Sequence, residues 1–182
     1  MATNLKSLAK DTAIYGVSSI FGRFLNYLLV PLYTATLSAA SGGYGVITNL
    51  YAWTALLLVI LTYGMETTFF RFANKADEDA EKVYSTTLVS VGATALMFVA
   101  AVVGFLPSIS SALGYADHQS WVVSMAIIVA LDAFQAIPFA YLRYKKQPIK
   151  FAGLKLAFIF INILLNLLYF LILPAMKCNL FG

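Results

Sequence analysis

Five long runs of apolar residues, separated by short polar segments, organise the chain. They cover Thr12–Tyr33, Tyr44–Tyr63, Tyr84–Leu106, Trp121–Leu142 and Leu156–Leu173. Each is about the 20 residues that a helix needs to cross a hydrocarbon core roughly 30 Å thick. The second, third and fifth contain no Asp, Glu, Lys or Arg. Membrane strands would alternate apolar and polar positions, and these runs are continuous. The pattern therefore predicts an all-α, polytopic membrane protein with five transmembrane helices, forming a single membrane domain over residues 1–182. The connections Thr34–Gly43, Gly64–Val83, Pro107–Ser120 and Arg143–Lys155 are too short to hold a soluble domain, and nothing repeats. The acidic group Asp77, Glu78, Asp79 and Glu81 reads as a solvated loop or short helix.

Composition narrows the class. Of 182 residues, 61% are hydrophobic and 11% charged, against roughly 25% charged in ordinary soluble domains. Mean hydropathy is +0.83. Disorder, a disulfide scaffold and a soluble nucleic-acid binder are excluded, and the bilayer is the first implied partner. The net charge of +4 is informative through its placement. Lys6 and Lys10 precede the first span. Arg71, Lys75 and Lys82 lie in the second connection, and Arg143, Lys145, Lys146, Lys150 and Lys155 in the fourth. The first and third connections hold no Lys or Arg. Lys and Arg accumulate on the cytoplasmic side, so the N-terminus is expected in the cytoplasm. The first run exceeds a signal-peptide core and reads as an uncleaved anchor.

The candidate chemistry lies inside the spans, where ionisable groups are expensive and mark protein interiors or aqueous cavities. Arg23 and Asp132 each fall eleven residues into a span, roughly 16 Å deep. Thr12, Tyr15, Gly16, Ser19, Arg23, Asn26 and Tyr27 recur at spacings of three and four, which makes one polar helix face. Ser124, Gln135 and Pro138 share the face of Asp132; Asn162 and Asn166 form a four-residue pair, as do Thr62 and Glu66. Faces turned inward would enclose a polar cavity. A structural Arg23–Asp132 ion pair, interhelical amide bonds and a Glu66–Arg71 surface pair account for the same residues without any ligand. Pro31 and Pro138 fall within spans, where a missing backbone donor kinks a helix. His118 and Asp117 do not make a metal site, and Cys178 is the sole cysteine. Neither catalytic motifs nor a cofactor-binding signature occurs, so no enzyme is expected.

Ser7-Leu8-Ala9-Lys10-Asp11-Thr12-Ala13-Ile14-Tyr15-Gly16, then Gly22-Arg23-Phe24-Leu25-Asn26 and Pro31-Leu32-Tyr33-Thr34, resemble the start of bacterial polysaccharide-biosynthesis flippases. So do Tyr44-Gly45-Val46, Thr62-Tyr63-Gly64-Met65-Glu66-Thr67, Phe69-Phe70-Arg71-Phe72 and Leu142-Arg143-Tyr144-Lys145-Lys146-Gln147-Pro148. That family, in the multidrug, oligosaccharidyl-lipid and polysaccharide exporter superfamily, moves undecaprenyl-pyrophosphate-linked O-antigen or capsule units across the inner membrane. The likeness spans the chain. It departs at Ala35-Thr36-Leu37 and Ser41-Gly42-Gly43, where the family often carries a basic and an acidic residue. The resemblance implies most of the first six-helix lobe, an N-terminal fragment whose partner is a missing C-terminal lobe. It implies a lipid-linked oligosaccharide substrate, with Arg23 meeting the pyrophosphate or an acidic sugar. Asn26, Gln135, Asn162 and Asn166 would meet sugar hydroxyls, and Asp132 and Glu66 would hold Arg23 or carry a coupling ion. A multidrug or cation antiporter, a peptidoglycan lipid-precursor flippase and a non-transporting scaffold remain as alternatives.

Overall fold

A computed structural model describes residues 43–168 together with 12–17, 20, 21, 24, 25, 27, 30, 31 and 34. Every described position between 12 and 34 is helical, and the rest of the first expected span lies outside the described residues. Six further α-helices follow: α1 (Gly43–Thr62), α2 (Met65–Ala73), α3 (Ala80–Gly104), α4 (Leu106–Ala112), α5 (Gln119–Tyr144) and α6 (Pro148–Leu167). A 3-10 turn, Ala116–His118, leads into α5. No strand occurs among the described residues. Four segments among them are long and apolar enough to cross a membrane: Gly45–Ala73, Ala80–Gly104, Ala116–Tyr144 and Pro148–Leu167. The protein is therefore membrane-embedded and helical.

Local chemistry sets the helix ends. Tyr63 (φ 30°) and Gly64 (φ 71°) separate α1 from α2 with two positive-φ residues. The Asp79 carboxylate accepts a hydrogen bond from the Glu81 amide at 3.0 Å and starts α3, with Glu81 favourably placed in the first turn. Pro107 and Pro148 occupy first-turn positions of α4 and α6, where a missing N–H leaves no bond unmade. Within the helices, Thr and Ser hydroxyls donate to carbonyls one turn back: Thr54 to Leu50 at 2.8 Å, Thr62 to Leu58 at 2.9 Å, Thr87 to Val83 at 2.7 Å and Ser90 to Thr86 at 2.8 Å. These bonds let polar side chains sit in an apolar medium without unmet hydrogen-bonding groups.

The described chain divides into two packing units. In the first, Ile47–Tyr144, α3 and α5 form the central contact. Val91, Ala95, Met125, Val129, Ala133 and Ile137 are buried there together with Leu61. Ala95, Ala126, Ala133 and Ala140 keep this contact narrow, and Phe134 lies against Gly92, at 3.4 Å from where a β-carbon would stand. Small residues that bring backbones close are the usual means of joining membrane helices. α1 meets this core through Leu50, Leu57, Leu58 and Leu61. The second unit is made of the described residues within 1–46 and 145–182. There Phe151 is buried and meets the Tyr15 ring edge-on, with centroids 5.0 Å apart. Phe158, Phe160, Ile161, Leu164 and Leu165 of α6 are exposed, as lipid-facing residues are.

The helices are longer than the apolar runs suggested. α3 has 25 residues and α5 has 26, about 37 and 39 Å, so they tilt or project beyond the hydrocarbon core. The fourth connection is also shorter than expected. α6 begins at Pro148 rather than Leu156, which places Lys150 and Lys155 on the helix. The second connection contains α2, and the third contains α4. Beyond residue 168 the fifth expected span lies outside the described residues.

Candidate functional site

α5 carries two polar stations. The first is Asp132, 13 residues after the start of a 26-residue helix, roughly 20 Å from either end. Gln135, one turn on, donates from Nε2 to Asp132 Oδ1 at 2.5 Å. Both side chains are half-buried. The carboxylate thus sits near mid-membrane with a neutral amide donor, which stabilises the charge while leaving its sign uncompensated by that partner.

The second station lies at the C-terminal end of α5. The Arg143 guanidinium donates to Glu66 Oε1 of α2, and the two side chains are 34% and 40% exposed respectively. The guanidinium also lies 5.6 Å from the Phe70 ring centroid. Beneath the pair, Phe69 is fully buried among Phe70, Tyr84, Tyr141 and Tyr144. Tyr84 and Tyr141 rings approach to 4.3 Å. The Tyr144 hydroxyl donates to the Ala73 carbonyl at 2.9 Å, and Asn74 Nδ2 donates to the Phe70 carbonyl at 2.7 Å. Two of the last four carbonyls of α2 are thereby satisfied, one of them by α5. Lys75 closes this end with its ammonium 4.5 Å from the Phe72 ring centroid. Asp132 and Arg143 are eleven residues apart on one helix, about three turns, so the stations share a face about 16 Å apart.

The other expected site residues distribute as follows. Asn166 Nδ2 donates to the Asn162 carbonyl at 2.9 Å and lies 3.3 Å from Asn162 Oδ1. These amides lie in the second packing unit, on α6. Arg23 and Asn26 lie outside the described residues. Glu66 pairs with Arg143, whereas the nearest cation along the chain, Arg71, was the expected surface partner. His118 stacks on Trp121 with centroids 4.1 Å apart and planes 10° apart. Among the described residues no three His, Cys, Asp or Glu side chains come together as a metal site would require.

Sequence reasoning missed Arg143, Tyr141, Tyr144 and Tyr84 as members of one cluster. Arg143 was counted as an orientation charge, and only its tertiary neighbours reveal a second role. The three-residue spacing of Tyr141 and Tyr144, which places both on one face, was the available signal.

The fold and site define a helical membrane protein with a carboxylate midway along one span and an ion-paired aromatic clasp at that span's end. No protein-family model, curated protein or solved structure matches the chain at a significant level.

Proposed function

We propose that the chain forms part of a flippase for lipid-linked oligosaccharides, working by alternating access in a bacterial inner membrane with its N-terminus in the cytoplasm. The observation that carries this reading is the Asp132–Gln135 pair halfway along α5. Ionisable groups at that depth are costly and rare, and they mark substrate or ion pathways. The residue runs that resemble polysaccharide flippases supply the substrate class. Arg23 meets the pyrophosphate, and Asn26, Gln135, Asn162 and Asn166 hydrogen-bond sugar hydroxyls. Asp132 holds Arg23 or binds the coupling ion. Glu66, which Arg143 engages, fastens α2 to α5 and shares with Asp132 the part of holding Arg23 or carrying the coupling ion. A second lobe, as the resemblance implies, completes the cavity and rocks against this one.

The test is complementation of a strain that loses surface polysaccharide when this gene is deleted. Wild-type protein restores the polymer, and Arg23→Ala and Asp132→Asn do not, at equal membrane abundance. Full restoration by both variants removes the reading. The carboxylate at mid-span favours one alternative, a cation-coupled antiporter, which predicts sodium- or pH-dependent drug efflux abolished by Asp132→Asn and unchanged surface polysaccharide on deletion.

A further inference from the structure

The break between α1 and α2 is held against the preference of its own backbone. Gly45–Ala73, 29 residues, is long and apolar enough to cross a membrane as one segment, yet Tyr63 (φ 30°) and Gly64 (φ 71°) divide it. Left-handed backbone is disfavoured about five- to thirtyfold for an L-residue, and a bulky side chain such as that of Tyr63 seldom adopts it. No proline enforces the break: Leu61-Thr62-Tyr63-Gly64-Met65-Glu66-Thr67 can continue as helix, with Gly64 its one poor helix former. The bond pattern of α1 ends where the Tyr63 amide meets the Val59 carbonyl at 3.2 Å. That of α2 begins where the Thr68 amide meets the Gly64 carbonyl at 3.0 Å. Between them, the amides of Gly64, Met65, Glu66 and Thr67 start a new helix without a carbonyl of their own helix to meet, and Gly64, at the N-cap, has no side chain to offer them.

Contacts made by α2 oppose that preference. Phe69 and Ala73 are buried beside Ala140, Tyr84 and Tyr144, Glu66 accepts from Arg143, and the Ala73 carbonyl accepts from the Tyr144 hydroxyl at 2.9 Å. We propose that Tyr63–Gly64 is a strained joint, kept broken by these contacts, and that their release lets α1 and α2 join as one continuous helix. Joining returns Tyr63 to right-handed backbone and gives the four amides the carbonyls of Ile60, Leu61, Thr62 and Tyr63. A continuous helix of 29 residues is about 43 Å long, well over a hydrocarbon core of roughly 30 Å. Glu66, Thr67, Thr68 and Arg71 would then emerge among headgroups and water, which satisfy them without Arg143. Each form leaves a different set of groups satisfied, as a two-state element requires. The inference is independent of the transport reading.

The full chain carries Cys178→Ser and spin labels at Tyr51→Cys and Thr68→Cys, exposed positions on either side of the break. It is reconstituted in nanodiscs, and the separation of the labels is measured by pulsed electron resonance. The labelled parent gives a short distance, because a break turns the helix axis. Gly64→Ala, which penalises the left-handed form, raises the share of a second, longer distance about five- to thirtyfold. That distance tends to the rise of seventeen helical residues, about 26 Å. Glu66→Gln, which weakens the hold of α5 on α2, raises the share further when combined with Gly64→Ala. Tyr63→Gly, which relieves the strain of the broken form, lowers the share at least about fivefold in that double variant. An unchanged short distance in the double variant overturns the proposal. So does a broad distribution that Tyr63→Gly does not return to the parent distance, since lost packing would produce it without any joint.

Discussion

Removing either partner of the Glu66–Arg143 clasp should loosen α2 from α5, and the two changes should not add. The side chains are 40% and 34% exposed, between a surface pair and a buried one. Exposed pairs contribute about 0.2–1 kcal/mol, whereas stripping one partner from a buried pair costs about 3–5 kcal/mol. A charge-assisted bond at intermediate burial gives about 1–2 kcal/mol for Glu66→Ala. Arg143→Ala should lose about 0.5–1 kcal/mol more, because its guanidinium also sits over Phe70 at 5.6 Å. The double variant should then be about 1 kcal/mol more stable than the sum of the singles implies. The assay is reversible unfolding in mixed micelles titrated with a denaturing detergent, with the cycle measured at low and high salt. High salt should shrink the coupling without abolishing it, since the pair is only partly screened. A coupling under about 0.3 kcal/mol, within the additivity expected of unconnected sites, would refute the clasp.

Other outcomes follow from single contacts. Tyr144→Phe removes the bond to the Ala73 carbonyl and should cost about 1 kcal/mol in the same unfolding assay. Ala133→Leu adds volume at a fully buried position beside Val91 and Val129 and should cost about 1–3 kcal/mol, whereas the same change at the exposed Ala93 should be neutral. Gly64→Ala should cost about 1 kcal/mol through backbone strain alone, since φ is 71° and nothing lies within 4 Å of the added carbon. Gln135→Leu removes the donor to Asp132 and, on the transport reading, should lower surface polysaccharide in the complementation assay at equal membrane abundance.

The spans were legible because the bilayer imposes a blunt rule: a spanning helix must present an apolar surface, and Tyr84–Leu106 or Trp121–Leu142 can hardly be read otherwise. What hydropathy measures is the membrane, though, and not the helix. Lys150 and Lys155 lower the local average, so eight helical residues of α6 were assigned to a loop, yet long lysine stems reach water from a helix end without breaking it. α2 was hidden for a different reason. Its Glu66, Thr67, Thr68 and Arg71 are polar enough to read as a connection, and its helicity is secured by burial of Phe69 and Ala73 against other helices. The partner of Glu66 lies 77 residues away along the chain, and no local pattern specifies such a pair. Asp132 and Gln135 were readable together because three residues on a helix bring side chains to the same face.

Placing both stations on one face of α5 has a mechanical consequence. Pro138 falls between them and removes the backbone donor that would reach the Phe134 carbonyl, leaving the helix easier to bend there than elsewhere. Below the proline, the clasp and the aromatic cluster hold the end of α5 to α2 and α3. Above it, Val122, Met125, Ala126, Val129 and Ala133 hold α5 to its neighbours by apolar packing. A bend at Pro138 would change the distance between Asp132 and the Glu66–Arg143 pair, and would have to carry the buried Ile137, Phe139 and Ala140 with it. In a transporter of the proposed kind, a charge gained or lost at Asp132 would reach the membrane surface along this face, through one helix and with no second relay. A helix held at both ends and lacking one backbone bond between them is suited to that task.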